Sequence, residues 1–133
     1  MDDIIKKYNL SLKKLIELLE TELPSNPLIE TAKRKYLISI TNDKSLLITE
    51  TGPSIYVYRE PIAEEKWDEL IFKDWSSDIQ VSDTEQLDQI QCIIPTLQKL
   101  WVHYDDSEKK KIKKIFRSLI SEYAKYLCIT HAS

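Results

Sequence analysis

Glycine occurs once in these 133 residues and histidine and cysteine twice each. No apolar run approaches the roughly 20 residues that a bilayer-crossing helix needs. Each scarcity excludes something. A single glycine removes most phosphate-binding loops, dinucleotide folds and tight hairpins, because all of these need several residues free to take positive φ. His103 and His131 lie far apart, and no nucleophile sits in a motif that would activate it. Cys92 and Cys128 have no CxxC spacing and sit among apolar residues in helical contexts, so both are expected to be buried, reduced thiols. No catalytic residue, cofactor or metal is therefore expected. The acidic start Met1-Asp2-Asp3 does not read as a secretory leader, which points to the cytoplasm and makes the Asn9-Leu10-Ser11 sequon a chance match.

Apolar residues at helical spacing are abundant. Ile4, Tyr8, Leu12, Leu15, Ile16, Leu19 and Leu23 predict an amphipathic helix that ends before Pro24. Asn26 can cap a second helix with Pro27 at its first position, where the missing N–H costs nothing. A short element over 44–50 is expected to stop at Gly52-Pro53. The Ile-Tyr-Val-Tyr composition of 55–59 favours a strand, but a lone strand has no partner, so this stretch is read as helical or irregular. One helix is predicted over 61–73 and a break at Trp75-Ser76-Ser77-Asp78. A further helix starts at Asp83 and carries Leu87, Ile90, Ile94, Leu97, Trp101 and Tyr104, with Pro95 expected to kink it. Ser107 should cap a last helix striped with Ile112, Ile115, Phe116, Leu119, Ile120, Tyr123 and Leu127. The fold class is thus all-α, a single bundle of five to six helices over 1–133.

The net charge of −3 conceals a strong polarity. Residues 1–60 balance to zero, 61–106 carry −8 and 107–133 carry +5. Either the acidic segment and the basic helix face each other or are simply solvated, or they sit on different surfaces and recognise a partner. The partner-binding candidates are Glu64, Glu65 and Asp68 on the acidic side, Lys110, Lys113, Lys114 and Arg117 on the basic side, and Trp75 beside a helix break as an interface anchor. Glu64, Glu65, Asp68 and Glu69 read as a solvated face, since no EF-hand spacing would turn them into a cation site. Trp67 and Trp101 read as core. The basic helix is the one patch able to grip phosphates, but Asp105, Asp106 and Glu108 stand beside it and no nucleic-acid motif is present.

The order of features resembles that of small proteins from large nucleocytoplasmic DNA viruses related to mimiviruses. The resemblance rests on Tyr8-Asn9-Leu10-Ser11-Leu12-Lys13-Lys14-Leu15-Ile16 closing at Leu23-Pro24, on Ile55-Tyr56-Val57-Tyr58 before Ile62, and on Asp68-Glu69-Leu70-Ile71-Phe72-Lys73-Asp74-Trp75-Ser76. A helix holding 97–101 and a short polar turn into 107–127 complete it. Gly52-Pro53 and Pro95 depart from the pattern. The resemblance implies an all-helical fold, a place in infected host cytoplasm or in the virion, and no catalytic residue. The expected function is a non-enzymatic protein–protein interaction or structural module, either self-associating or part of a viral assembly. The alternative is a nucleic-acid-binding accessory protein that uses the basic C-terminal helix.

Overall fold

The computed structural model describes residues 2–73 and 84–131, and side chains only outside 84–93. Trp75 and the side chains of Leu87, Ile90 and Cys92 lie outside the described residues. Among the described residues the chain forms seven helices and no strand. These are α1 (Asp2–Glu22), α2 (Pro27–Asn42), α3 (Leu46–Tyr56), α4 (Arg59–Ala63), α5 (Trp67–Ile71), α6 (Thr84–His103) and α7 (Asp106–Thr130).

The long helices begin where side chains satisfy their orphan N–H groups. Asn26 accepts from the Leu28 N–H at 3.0 Å, with Pro27 as first residue of α2. The Asp105 carboxylate, and not Ser107, caps α7 by accepting from the Glu108 N–H at 2.8 Å. The first turn of α7 is consequently acidic, with Asp106 and Glu108 complementing the helix dipole before the lysine run begins. Between α2 and α3, Asp43 accepts from both the backbone N–H and the hydroxyl of Ser45, at 3.0 and 2.8 Å. Those two bonds hold the Asp43 carboxyl below its ordinary pKa, the backbone bond contributing most.

Helix α7 runs antiparallel to α1, since Ser11 meets Ser118 while Glu22 lies across a groove from Glu108. The Ser11 hydroxyl donates to that of Ser118 at 2.9 Å, and both side chains are small enough to let the helices approach. Helices α1, α2, α3 and α7 enclose one apolar core built on Tyr8, Leu12, Tyr36, Leu47, Ile48, Leu119 and Tyr123. Full burial of Ile48 and Leu119 contributes roughly 1.5–3 kcal/mol each. The polar ends of the tyrosines are accommodated. Thr51 spends its proton on the Leu47 carbonyl at 2.6 Å, so the Tyr8 hydroxyl is the donor in its 2.7 Å bond to Thr51. The Tyr36 hydroxyl donates to the Asn9 carbonyl at 3.1 Å. Burial raises the pKa of the Tyr8 phenol above its ordinary 10.0, against the smaller opposing effect of the Thr51 bond.

Beyond the α7 cap, three sequence expectations change, at Gly52-Pro53, over 61–73 and at Cys128, whereas the helical or irregular reading of 55–59 agrees with the structure. Helix α3 does not stop at Gly52-Pro53 but continues to Tyr56. The glycine is needed for proximity: the Tyr123 ring packs where a Cβ on Gly52 would stand. Ile48 below the Gly-Pro pair and Ile55 and Tyr56 above it all enter the same core, and that packing outweighs the local helix-breaking tendency. The 55–59 stretch is helical and turn-like, ending α3 and starting α4. The single helix expected over 61–73 is two short ones, separated at Glu65, whose φ of 61° no helix interior allows. Cys128 is exposed, because it falls on the solvent side of α7. Pro95 sits inside α6 as read, and Trp67 and Trp101 are buried.

Replacing Gly52 by alanine should lower stability by about 1–3 kcal/mol, since overpacking against Tyr123 exceeds the gain of at most ~1 kcal/mol in helix propensity. Urea unfolding followed by circular dichroism measures this. A stabilised variant would show that the Tyr123 ring moves aside freely.

Candidate functional site

The turn after α4 is built by backbone geometry. Lys66 N–H bonds to the Pro61 carbonyl at 2.9 Å and Glu65 N–H to the Ile62 carbonyl at 3.3 Å, the Schellman pattern of a helix end. The position that usually takes glycine is occupied by Glu65 in the left-handed region. Holding a side chain there turns its carboxylate toward α7. Glu65 Oε2 accepts from the Trp67 indole N–H at 3.1 Å and lies 3.9 Å from Lys113 Nζ, while Oε1 pairs with Arg117.

Beneath these charges lies the second apolar cluster, Ile62, Trp67 and Trp101, with Phe116 of α7 packed against both this cluster and the main core. The indole rings of Trp67 and Trp101 stand 6.3 Å apart, and Trp67 and Phe116 6.4 Å. Trp101 donates its indole N–H to Asp68 at 2.9 Å. Lys109 lies over the Trp101 ring at 5.1 Å and Lys113 over Trp67 at 5.9 Å. The acidic segment and the basic helix therefore meet, and the contact divides the candidate residues. Glu65, Asp68, Lys113 and Arg117 belong to it, whereas Glu64 pairs with Lys66 at 3.0 Å and both remain exposed. The field of Glu64, through its hydrogen bond and charge, and then of Glu69 raises the Lys66 pKa.

Lys110 and Lys114 are turned elsewhere. Lys114 and Lys111 border a groove of 330 Å³ between α7 and α1, facing Lys14 across it, with Leu18 and Ile115 as apolar lining and Ser11 and Ser118 at one end. A second hollow of 410 Å³ continues it toward Glu22 and Tyr104. Among the described residues, no ion pair includes Lys14, Lys110, Lys111 or Lys114. Sequence reasoning missed Lys14 and Lys111 as members of one site, because α1 and α7 lie at opposite ends of the chain. The only available signal was Ser11 and Ser118, small residues interrupting otherwise bulky faces.

For catalysis the described residues offer little convergence. His103 is exposed at the end of α6, His131 is exposed just past α7, and no group of three or more potential metal ligands occurs among the described residues. No helix among them is long and apolar enough to cross a membrane.

The two kinds of contact at Glu65 and Trp101 should differ in worth. Glu65→Gln removes ion pairs that are half exposed, and the loss should stay below about 1 kcal/mol and shrink with added salt. Trp101→Phe leaves the cluster smaller and the indole–carboxylate bond unmade, and should cost about 1.5–3 kcal/mol with little salt dependence. Chemical denaturation at two ionic strengths separates them, and equal losses would refute the ranking.

No known protein family, curated protein or solved structure matches this chain, which leaves its role to be read from the Glu65 contact and the lysine-bordered groove.

Proposed function

We propose that this protein is a non-enzymatic interaction module that self-associates and serves as a structural part of a larger assembly. The observation that supports it is the division of the basic helix. Lys113 and Arg117 are engaged within the fold, whereas Lys111 and Lys114, joined by Lys14, border a groove also lined by Leu18 and Ile115, and Lys110 is exposed; none of these last four lysines takes part in an ion pair among the described residues. Charged rims around apolar hollows steer and orient protein partners. The likeness to small proteins of large DNA viruses extends the proposal to a viral assembly or virion-associated component working in host cytoplasm.

Light scattering behind size exclusion tests this at about 100 μM protein, a concentration that captures contacts with micromolar dissociation constants. At low salt the mass should exceed the 15.7 kDa of one chain, and it should return to one chain near 1 M salt, where the Debye length is only about 3 Å. A strict monomer at low salt would reject self-association.

The same unpaired lysines favour a second reading, a nucleic-acid accessory protein gripping phosphates with Lys110, Lys111 and Lys114. That reading requires binding whose log–log salt slope falls by roughly 0.9 per lost phosphate contact when these lysines become alanine. An unchanged slope removes it.

A further inference from the structure

We infer that the groove between α1 and α7 is the docking site for the α5 face of a second copy of this chain, with Phe72 as the apolar anchor and Asp68 and Glu69 as the charges that meet Lys14, Lys111 and Lys114. The inference rests on the self-association reading above and says which two surfaces meet.

Two unlike surfaces of one molecule carry it. The groove combines three ammonium groups outside any ion pair among the described residues with the apolar side chains of Leu18 and Ile115; Glu17, Glu22 and Glu108 border the hollow that continues it, so the fit for an acidic surface that also presents a hydrophobe centres on the end at Lys114 and Ile115. Nucleic acid meets the first half with its phosphates, but among the described residues the groove wall holds no aromatic ring on which a base could stack. The α5 face satisfies both. Phe72, 48 % exposed, follows α5 directly, its N–H bonded to the Asp68 carbonyl at 3.0 Å, which sets its side chain one turn from Asp68 and Glu69. Nearby Lys66 is held by Glu64, and Lys73 leans over the Tyr58 ring at 5.0 Å. The Asp68 carboxylate accepts from Trp101, and Asp68 and Glu69 are both exposed. The groove volume of 330 Å³ lies at the lower end of the roughly 300–1,000 Å³ typical of ligand hollows, room for one aromatic side chain.

Position explains why the docking must be between copies. On α7, with about 100° per residue, Lys114 stands roughly 100° and Lys111 roughly 160° around the axis from Lys113, which faces Glu65 and Trp67. The α5 face is tied to the Lys113 side by the Trp101–Asp68 and Glu65 contacts, so it cannot reach the groove of its own chain. A neighbour's α5 face can. Because the two surfaces differ, the contact is heterologous and repeats head to tail, building a ring or an open filament.

Charge exchange provides the test, with light scattering at about 100 μM and low salt as the readout and circular dichroism as the check on folding. The Lys111→Glu/Lys114→Glu chain and the Glu69→Lys chain, which leaves the Asp68–Trp101 bond intact, should each associate at least 10-fold more weakly than wild type. Mixed in equal amounts they should recover an assembly of wild-type mass, because each reversed surface then finds its complement. Phe72→Ala should also weaken association about 10-fold, with the salt dependence retained. If both charge variants keep the wild-type mass, the chain self-associates through another face and this docking is wrong while the broader reading stands. A monomeric wild type overturns both. Failure of the mixture to reassemble, with both variants folded and monomeric, overturns the pairing of these surfaces. Monomeric wild-type protein that retains DNA or RNA through Lys111 and Lys114 assigns the groove to nucleic acid instead.

Discussion

The packing of α7 against α1 is the contact on which the other helices depend, and its closeness is set by two hydroxyls, Ser11 and Ser118. A larger side chain at either position would push the axes apart. Behind that seam, Leu119 and Tyr123 on α7 reach the same core as Tyr8 and Leu12 on α1, and α3 is drawn onto Tyr123 by the missing side chain of Gly52. Phe116 then carries the packing from this core into the Trp67–Trp101 cluster. One helix thereby contributes to both cores, which couples the short α4 and α5 to the large bundle although neither, at five residues, is long enough to be stable alone.

That coupling also determines what happens to charge. Once Phe116 and Ile120 are turned toward Ile62 and Trp67, helical geometry brings Lys113 and Arg117 up beside the same contact, where Glu65 waits in a left-handed conformation. Placing a non-glycine residue there costs of order 1 kcal/mol or more. Half-exposed ion pairs return about as much at best. The arrangement is thus better understood as a device for fixing the α4–α5 orientation than as a source of net stability.

How far this was legible from sequence varies with the range of the interaction. The ends of α1 and α2 follow from Pro24, Asn26 and Pro27, whose effects act within a few residues. Buried Trp67 and Trp101 followed from apolar spacing. Gly52-Pro53 was misread because a local rule sees a helix breaker, whereas the reason for the glycine is a tyrosine ring contributed by the last helix. The split at Glu65 carries no local signature, since the glycine that ordinarily marks such a helix end is absent. Asp105 was passed over as a cap for Ser107, although both precede an acidic residue suited to the first turn; only the backbone direction decides between them. For the lysines, sequence showed a basic run but not its division, because Glu65 and Lys14, the residues that separate inward from outward positions, come from elsewhere in the chain.

The lysines that remain outside the fold have a physical consequence of their own. Lys110 and Lys114 are four residues apart on α7 and Lys111 and Lys114 three, so each pair is mutually repulsive by roughly 0.2–0.5 kcal/mol in an isolated helix. Lys14 adds another positive charge from α1. The helix dipole does not explain their placement, because the turn nearest the N-terminus is already occupied by Asp106 and Glu108 and the dipole's effect fades beyond it. Nor does solubility require them beside an apolar hollow, since the same charges spread over the exposed face of α7 would serve equally without sharing a groove wall. Lys14, Lys111 and Lys114, gathered at one groove, raise the positive potential over Ile115, at the end away from Glu17, Glu22 and Glu108, and an acidic surface carrying a hydrophobe relieves that repulsion at the moment it covers the apolar wall.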